Sequence, residues 1–278
     1  MRTIGLRRRT GGVAVRRRSI TFPRGRVTAQ IAARHRDALP GQPWRALGKP
    51  RGTVHVPADA HVRLDVDRAS DLHLCRALGP DDLQGLNLSG SGVVDDDLDA
   101  IRHLKGLEGL DLSDTAVSDA GLRHVAELQG LRALSLARND VGDAGVALVA
   151  GLRRLEWLNL WGSAVTDASS GPLGSMHTLR GLEVSRTQLG DRALDALASL
   201  QGLRWLGLSG VPIAGRGLES LARLDSLRQL DLSLTDVGDD DVEHLLRLRS
   251  LARLDLWGTR VTPSVVRRLE ARGCHVVA

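Results

Sequence analysis

Residues 107–130 read Leu107-Glu-Gly-Leu110-Asp-Leu112-Ser-Asp-Thr115-Ala-Val117-Ser-Asp119-Ala-Gly-Leu122-Arg-His-Val125-Ala-Glu-Leu128-Gln-Gly. Apolar residues alternate at Leu110 and Leu112 and then recur at a spacing of three at Leu122, Val125 and Leu128, so a short strand leads and a short helix follows. The pattern starts again at Leu83, Leu107, Leu131, Leu155, Leu179, Leu203, Leu227 and Leu251, eight times at an interval of 24 residues with no insertion. Such a period marks a repeat architecture.

One unit is too small to bury its own apolar side, so neighbours must stack and share a continuous core. The predicted fold is an α/β solenoid, a horseshoe with a parallel sheet on its concave side and short helices outside. The strand stretch Leu107-Glu-Gly-Leu110-Asp-Leu112 resembles the signature of leucine-rich repeat proteins over residues 83 to 273. The tails Val117-Ser-Asp119-Ala-Gly-Leu122 and Val141-Gly-Asp143-Ala-Gly-Val146 are similar to the cysteine-containing repeats found beside F-box domains and to their bacterial relatives. The Cys or Asn column of that subclass is here Ser91, Thr115, Asn139, Ser163, Thr187, Val211, Thr235 and Thr259, and no upstream stretch reads as an F-box. The resemblance implies a binding scaffold, with a substrate-recognition subunit of a degradation complex as a variant of that role.

Charge divides the chain. Residues 1–53 hold 14 Lys or Arg against one acid, Asp37, a net of +13, while the remainder holds 24 bases against 32 acids, a net of −8. The first part, with Arg7, Arg8, Arg9, Arg16, Arg17 and Arg18 among Gly, Pro and Thr, offers little to build a core and is expected to be a flexible arm. Two readings of it stand: Arg clusters that contact nucleic-acid phosphates, or a segment with no ligand, whether solvated tail, partner of the acidic solenoid or over-extended start. Residues 54–82 are expected to form an N-terminal cap, with Val62, Leu64 and Val66 in a strand and Asp71 opening a helix. Residues 83–274 hold the eight repeats, and 275–278 end the C-terminal cap.

Polar columns have mechanical readings. The Ser, Thr or Asn column lies where the chain leaves the strand and satisfies turn backbone. Asp95, Asp119, Asp143, Asp167, Asp191 and Asp239 precede the outer helices, where a carboxylate is expected to cap free amides. Ser170-Gly171-Pro172 is expected to replace the helix of unit four with a loop.

The leucines at offsets 0, 3 and 5 of a unit face inward, so offsets 2, 4 and 6 project from the concave face. Trp157 and Trp205 occupy offset 2 and Trp161 and Trp257 offset 6, the first and second of these two strands or about 10 Å apart. Arg138 and Arg186 at offset 7, with Glu183 and Asp231 at offset 4, surround them. Large rings on a face of small residues mark a protein-binding patch, since Trp and Arg dominate binding hot spots.

The nine His are scattered, and no Cys-x-x-Cys, His-x-x-x-His beside a carboxylate, phosphate loop or nucleophile elbow is present. No catalysis, metal or cofactor is expected. The two cysteines, Cys75 and Cys274, are too few for a disulfide framework, no apolar run reaches membrane length, and 36 Arg against 2 Lys fits a GC-rich bacterial coding bias. The expected setting is the cytoplasm.

Overall fold

The computed structural model describes residues 17–23, 27–37 and 43–278. Its first strands are β1 (Arg17–Phe22), β2 (Gln30–His35), β3 (Arg45–Gly48), β4 (Gly52–Pro57) and β5 (Ala60–Asp65). One three-residue strand per repeat follows, β6 (Gly85–Asn87), β7 (Gly109–Asp111), β8 (Ala133–Ser135), β9 (Trp157–Asn159), β10 (Gly181–Glu183), β11 (Trp205–Gly207), β12 (Gln229–Asp231) and β13 (Arg253–Asp255), with β14 (His275–Val277) last. Strands β5 to β14 pair in sequence order, all parallel, and β2 and β3 extend the sheet antiparallel at the N-terminal end to twelve strands.

The middle residue of each repeat strand, from Leu86 to Leu254, points into the core, with the apolar residues of the outer side closing it from beyond. That side carries α1 (Leu122–Val125), α2 (Asp143–Val149), α3 (Ser170–Gly174), α4 (Asp191–Leu197), α5 (Leu218–Leu221), α6 (Asp239–Glu243) and α7 (Pro263–Glu270). The remaining outer turns are 3-10, at Asp95–Ala100, Asp167–Ser169 and His244–Arg247. Unit four therefore keeps a helix, against expectation. Pro172 falls in the first turn of α3, where no amide donor is needed, and the Ser170 hydroxyl donates to the carbonyl of Asp167 at 2.5 Å.

The aspartate column does something other than cap its own helix. Asp95 accepts the amide of Ser118, Asp119 that of Gly142, Asp143 that of Thr166, Asp167 that of Gly190 and Asp239 that of Thr262, all at 2.7 to 2.9 Å and all one repeat further on. These carboxylates staple each turn of the solenoid to the next. Capping within a helix falls instead to Asp97 and Asp241, which accept the amides of Val94 and Gly238. The Ser/Thr column behaves as expected: Ser91, Thr115, Ser163, Thr187, Thr235 and Thr259 each donate to the carbonyl three residues before.

The N-terminal region corrects the expectation of a flexible arm through residue 53. Strand β4 crosses that boundary and pairs antiparallel with β1, burying Ile20 and Phe22 with Val56, and β2 buries Ile31, Ala32 and Ala33 beside β5. In β1 the buried Ile20 and Phe22 alternate with the exposed Arg17, Ser19 and Thr21, the pattern of a half-buried strand. Arg18 is half-buried and donates to the carbonyls of Asp81 (2.8 Å) and Ala60 (3.2 Å) and to Oε1 of Gln84 (3.1 Å), so it braces the cap against the first repeat. Arg17 is exposed at the start of β1. Arg7, Arg8, Arg9 and Arg16 lie outside the described residues. Asp71, 7% exposed, sits in the 3-10 helix Ala69–Ala77 and accepts the amide and hydroxyl of Thr28 and the amide of Ala29, fastening the segment before β2. Both cysteines are buried and free, and burial pushes the Cys75 thiol up to about 12, an inert group.

Candidate functional site

Parallel register lines Arg63 of β5 up with the first residues of β6 to β13 in one row across the concave face, Gly85, Gly109, Ala133, Trp157, Gly181, Trp205, Gln229 and Arg253. Trp157 and Trp205 are two strands apart in this row, yet their ring centroids lie 5.0 Å apart at an interplanar angle of 37°. Gly181 explains the departure from the expected 10 Å spacing. A Cβ there would overlap the ring of Trp157, so the bare backbone of β10 lets that ring lie across it and meet Trp205. The pair forms one aromatic surface, with Trp157 39% exposed.

Trp161, partly buried, lies between two guanidinium groups, Arg138 at 5.8 Å and Arg186 at 5.4 Å from its ring centroid. Both arginines have left-handed backbone, with φ of 57° and 56°. Their offset is left-handed in every repeat: Gly90, Gly162, Gly210 and Gly258 fill it in four units, and Asp114, Arg138, Arg186 and Leu234 in the others. A side chain at such a position costs about 1 kcal/mol or more. Arg138 also pairs with Asp114 at 2.7 Å. Trp257 is 58% exposed and stacks on no other ring among the described residues; the structure does not bring it to the central group.

The carboxylates at offset 4 have a structural task that sequence reasoning missed. Asp111, Glu183, Asp231 and Asp255, like Asn87 and Asn159, accept the amide two residues further on and close the turn that leaves the strand. Glu183 also reaches over Gly207, where its carboxylate shares with the Trp205 ring the space a side chain would fill. Burial there pushes its carboxyl above the usual range, against the hydrogen bonds from Ser185 and with the charge of Asp231 adding to the rise.

A second feature of this face was not anticipated. Trp44, just before β3 in the segment read as an arm, stands beneath the guanidinium groups of Arg34 at 4.3 Å and Arg63 at 5.0 Å. Between it and Trp157 runs a trough of about 420 Å³, floored by Gly85, Gly109 and Ala133 and edged by Asn87, Asp111 and Ser135 on one side and Glu108 and Arg132 on the other. Its volume is that of ligand pockets, which span about 300 to 1,000 Å³. His61 lines its cap end. Burial lowers the imidazole pKa, opposed by Glu108 and aided by the charges of Arg34, Arg36 and Arg18. Among the described residues no group of three or more His, Cys, Asp or Glu could hold a metal ion, and no helix is long and apolar enough to cross a membrane.

The family model described as leucine-rich repeat matches residues 129–150 and 225–246. Among solved structures, the chain is similar to internalin InlF of Listeria monocytogenes at 23% identity and a TM-score of 0.56, over 76% of this chain and 64% of that one. It is similar to internalin C2 of the same organism at 24% identity and 0.53, over 67% and 83%. A third likeness, at 22% and 0.51, is to the ectodomain of the Arabidopsis receptor kinase HAESA in complex with an extended IDA peptide hormone, over 68% of this chain and 32% of that one. The chain thus spans less than two thirds of the first neighbour's length and about a third of the plant ectodomain's. No curated protein matches the sequence. With its repeat period, parallel sheet and leucine core, the chain is a leucine-rich repeat protein.

Proposed function

We propose that the chain is a non-catalytic protein-binding scaffold that seats a partner on its concave face, with Trp157, Trp161 and Trp205 as the central anchors. The observation that carries this reading is the Trp157–Trp205 pair, two large rings left partly in water beside the small residues Gly109, Ala133 and Gly181 of the same row. Arg138 and Arg186 extend the patch, on backbone that is strained to place them. Glu183 and Asp231 add fixed negative charge, and Trp257 lies beyond. Support comes from the plant neighbour of this fold, whose ectodomain is in complex with a peptide hormone. A cytoplasmic setting is part of the proposal.

The test is capture from the source lysate by the whole chain, beside a Trp157→Ala, Trp161→Ala, Trp205→Ala variant that melts at the same temperature. A protein retained only by the unmutated chain is the expected result, with loss of a central ring costing on the order of 2 kcal/mol. Identical retained sets would remove the concave face from consideration.

A further inference from the structure

We propose that the trough between Trp44 and Trp157 is a binding site for the free C-terminal end of an extended peptide, its terminal carboxylate held by Arg34. The inference rests on the reading of the concave face as a binding surface and assigns it a second element that the central tryptophans do not supply.

Shape comes first. From β5 to β9 the trough crosses four strand spacings, about 19 Å, room for about five residues of extended chain. Arg63 lies over Gly85 and Trp157 over Gly181, so both ends of the glycine row are covered by side chains. Gly109 between them is bare, and a Cβ built there meets nothing within 4 Å. The floor accepts peptide side chains, while Asn87 and Ser135 on one rim and Glu108 and Arg132 on the other offer polar partners to a peptide backbone.

Charge selects the occupant. Arg63 pairs with Asp65 at 2.9 Å and Arg132 with Glu156, and Glu108 faces His61 at 3.9 Å. Arg34 lines the trough with its guanidinium on the Trp44 ring and has no carboxylate partner among the described residues. A guanidinium preorganised on an aromatic plane presents its remaining donors to a carboxylate in bidentate geometry. Trp44 lines the same end, where among the described residues only β3 continues the sheet, so a chain that ends against the ring brings its terminal carboxylate to Arg34.

The experiment immobilises the whole chain and offers two pools of randomised pentapeptides, one with free C-terminal carboxylates and one amidated. Retention from the free pool alone is expected, and the peptides recovered should bind at least tenfold more weakly to Arg34→Gln and to Gly109→Ile. Isoleucine suits a strand, and its branch point at position 109 enters open space, since a Cβ there meets nothing within 4 Å; equal melting temperatures would verify that the fold is kept. A Trp161→Ala, Trp205→Ala variant should retain the peptides. No retention from either pool, equal retention from both, or undiminished binding to Gly109→Ile would overturn the proposal. Repeating the lysate capture with the Trp161→Ala, Trp205→Ala variant, which leaves the trough-lining Trp157 in place, lets the two readings fail separately.

Discussion

The cap and the repeats solve the same problem by opposite means. In residues 83–274 the polar tasks recur at the 24-residue period: an aspartate staples one unit to the next at five junctions, and a hydroxyl closes the turn in six of the eight units. In the cap the tasks are performed once, by Arg18 across to the first repeat and by Asp71 under Thr28. A solenoid is held by nearest-neighbour contacts, and its ends must shield the outermost apolar face from water. A lost staple in the body leaves equivalent staples on either side. A lost contact in the cap has no duplicate.

The largest effect should therefore come from Asp71→Ala. It leaves the amides of Thr28 and Ala29 unpaired at a buried site, and chemical denaturation should show a loss of about 3 kcal/mol, near the upper range for a hydrogen-bonded charge. Burial pushes the Asp71 carboxyl up, but its hydrogen bonds outweigh this and hold it below the usual value. A depressed folded pKa means that this stabilisation is complete above the unfolded aspartate value of about 3.9 and is lost as pH falls below it, through the folded pKa. The variant should accordingly lose less stability than the parent over that acid range. A parent and variant with parallel pH curves would show that the anchor owes nothing to ionisation.

Asp143→Ala is the matching change in the body. Asp143 accepts the amide of Thr166 at 2.9 Å, its hydroxyl at 2.6 Å and the hydroxyl of Ser169, and these bonds likewise lower its pKa against the opposing effect of burial. Denaturation should register about 2 kcal/mol, with hydrogen exchange quickened only near the junction of units three and four. Exchange quickened along the whole arc, or a cost above that of Asp71→Ala, would reverse the contrast between redundant body and single-copy cap.

The same contrast explains what was legible in the sequence. Repetition made the register readable: offsets 2, 4 and 6 reach the concave face as the alternation requires, and Arg138 and Arg186 do flank Trp161. What escaped depends on neighbours one or more units away. The acceptor role of Asp143 toward Thr166 is invisible within one unit, because a helix-start aspartate has the same local signature whether it caps or staples. The contact of Trp157 with Trp205 needs the missing side chain of Gly181 on the strand between them. In the cap, the alternation of Ile20 with Phe22 and of Val54 with Val56 was the available strand signal, obscured by the arginines that crowd this part of the sequence. Trp44 was lost with it, and the trough with Trp44.

Two glycines in one register row carry the comparison onto the binding face itself. Gly109 is open and Gly181 is covered. Since glycine in a strand is less favourable than alanine by about 0.5 to 1 kcal/mol, Gly109→Ala should stabilise the chain by about that much. Gly181→Ala should forfeit this gain and lift the Trp157 ring from Trp205, abolishing the coupled indole signal in near-ultraviolet circular dichroism. If both substitutions stabilise equally and the signal persists, the ring pair does not depend on the bare backbone of β10.

The smallest effect decides whether the arginines around Trp161 are satisfied by the ring alone. Leu234→Gly relieves a left-handed side chain that is 44% exposed, so relief of about 1 kcal/mol or more, less about 0.5 kcal/mol for the added backbone freedom, should leave a net gain of about 0.5 kcal/mol. Arg186→Gly gains the same relief but loses a guanidinium 5.4 Å from the Trp161 centroid, a contact worth about 0.5 to 1 kcal/mol at an exposed site. The two variants should then separate in urea midpoint, with Arg186→Gly near or below the parent. Equal stabilisation by both would mean that Arg186 gains nothing from Trp161 in the free chain. Its strained backbone would then be offset only in a complex, which makes a partner that takes up the guanidinium the remaining physical reason for an arginine at that position.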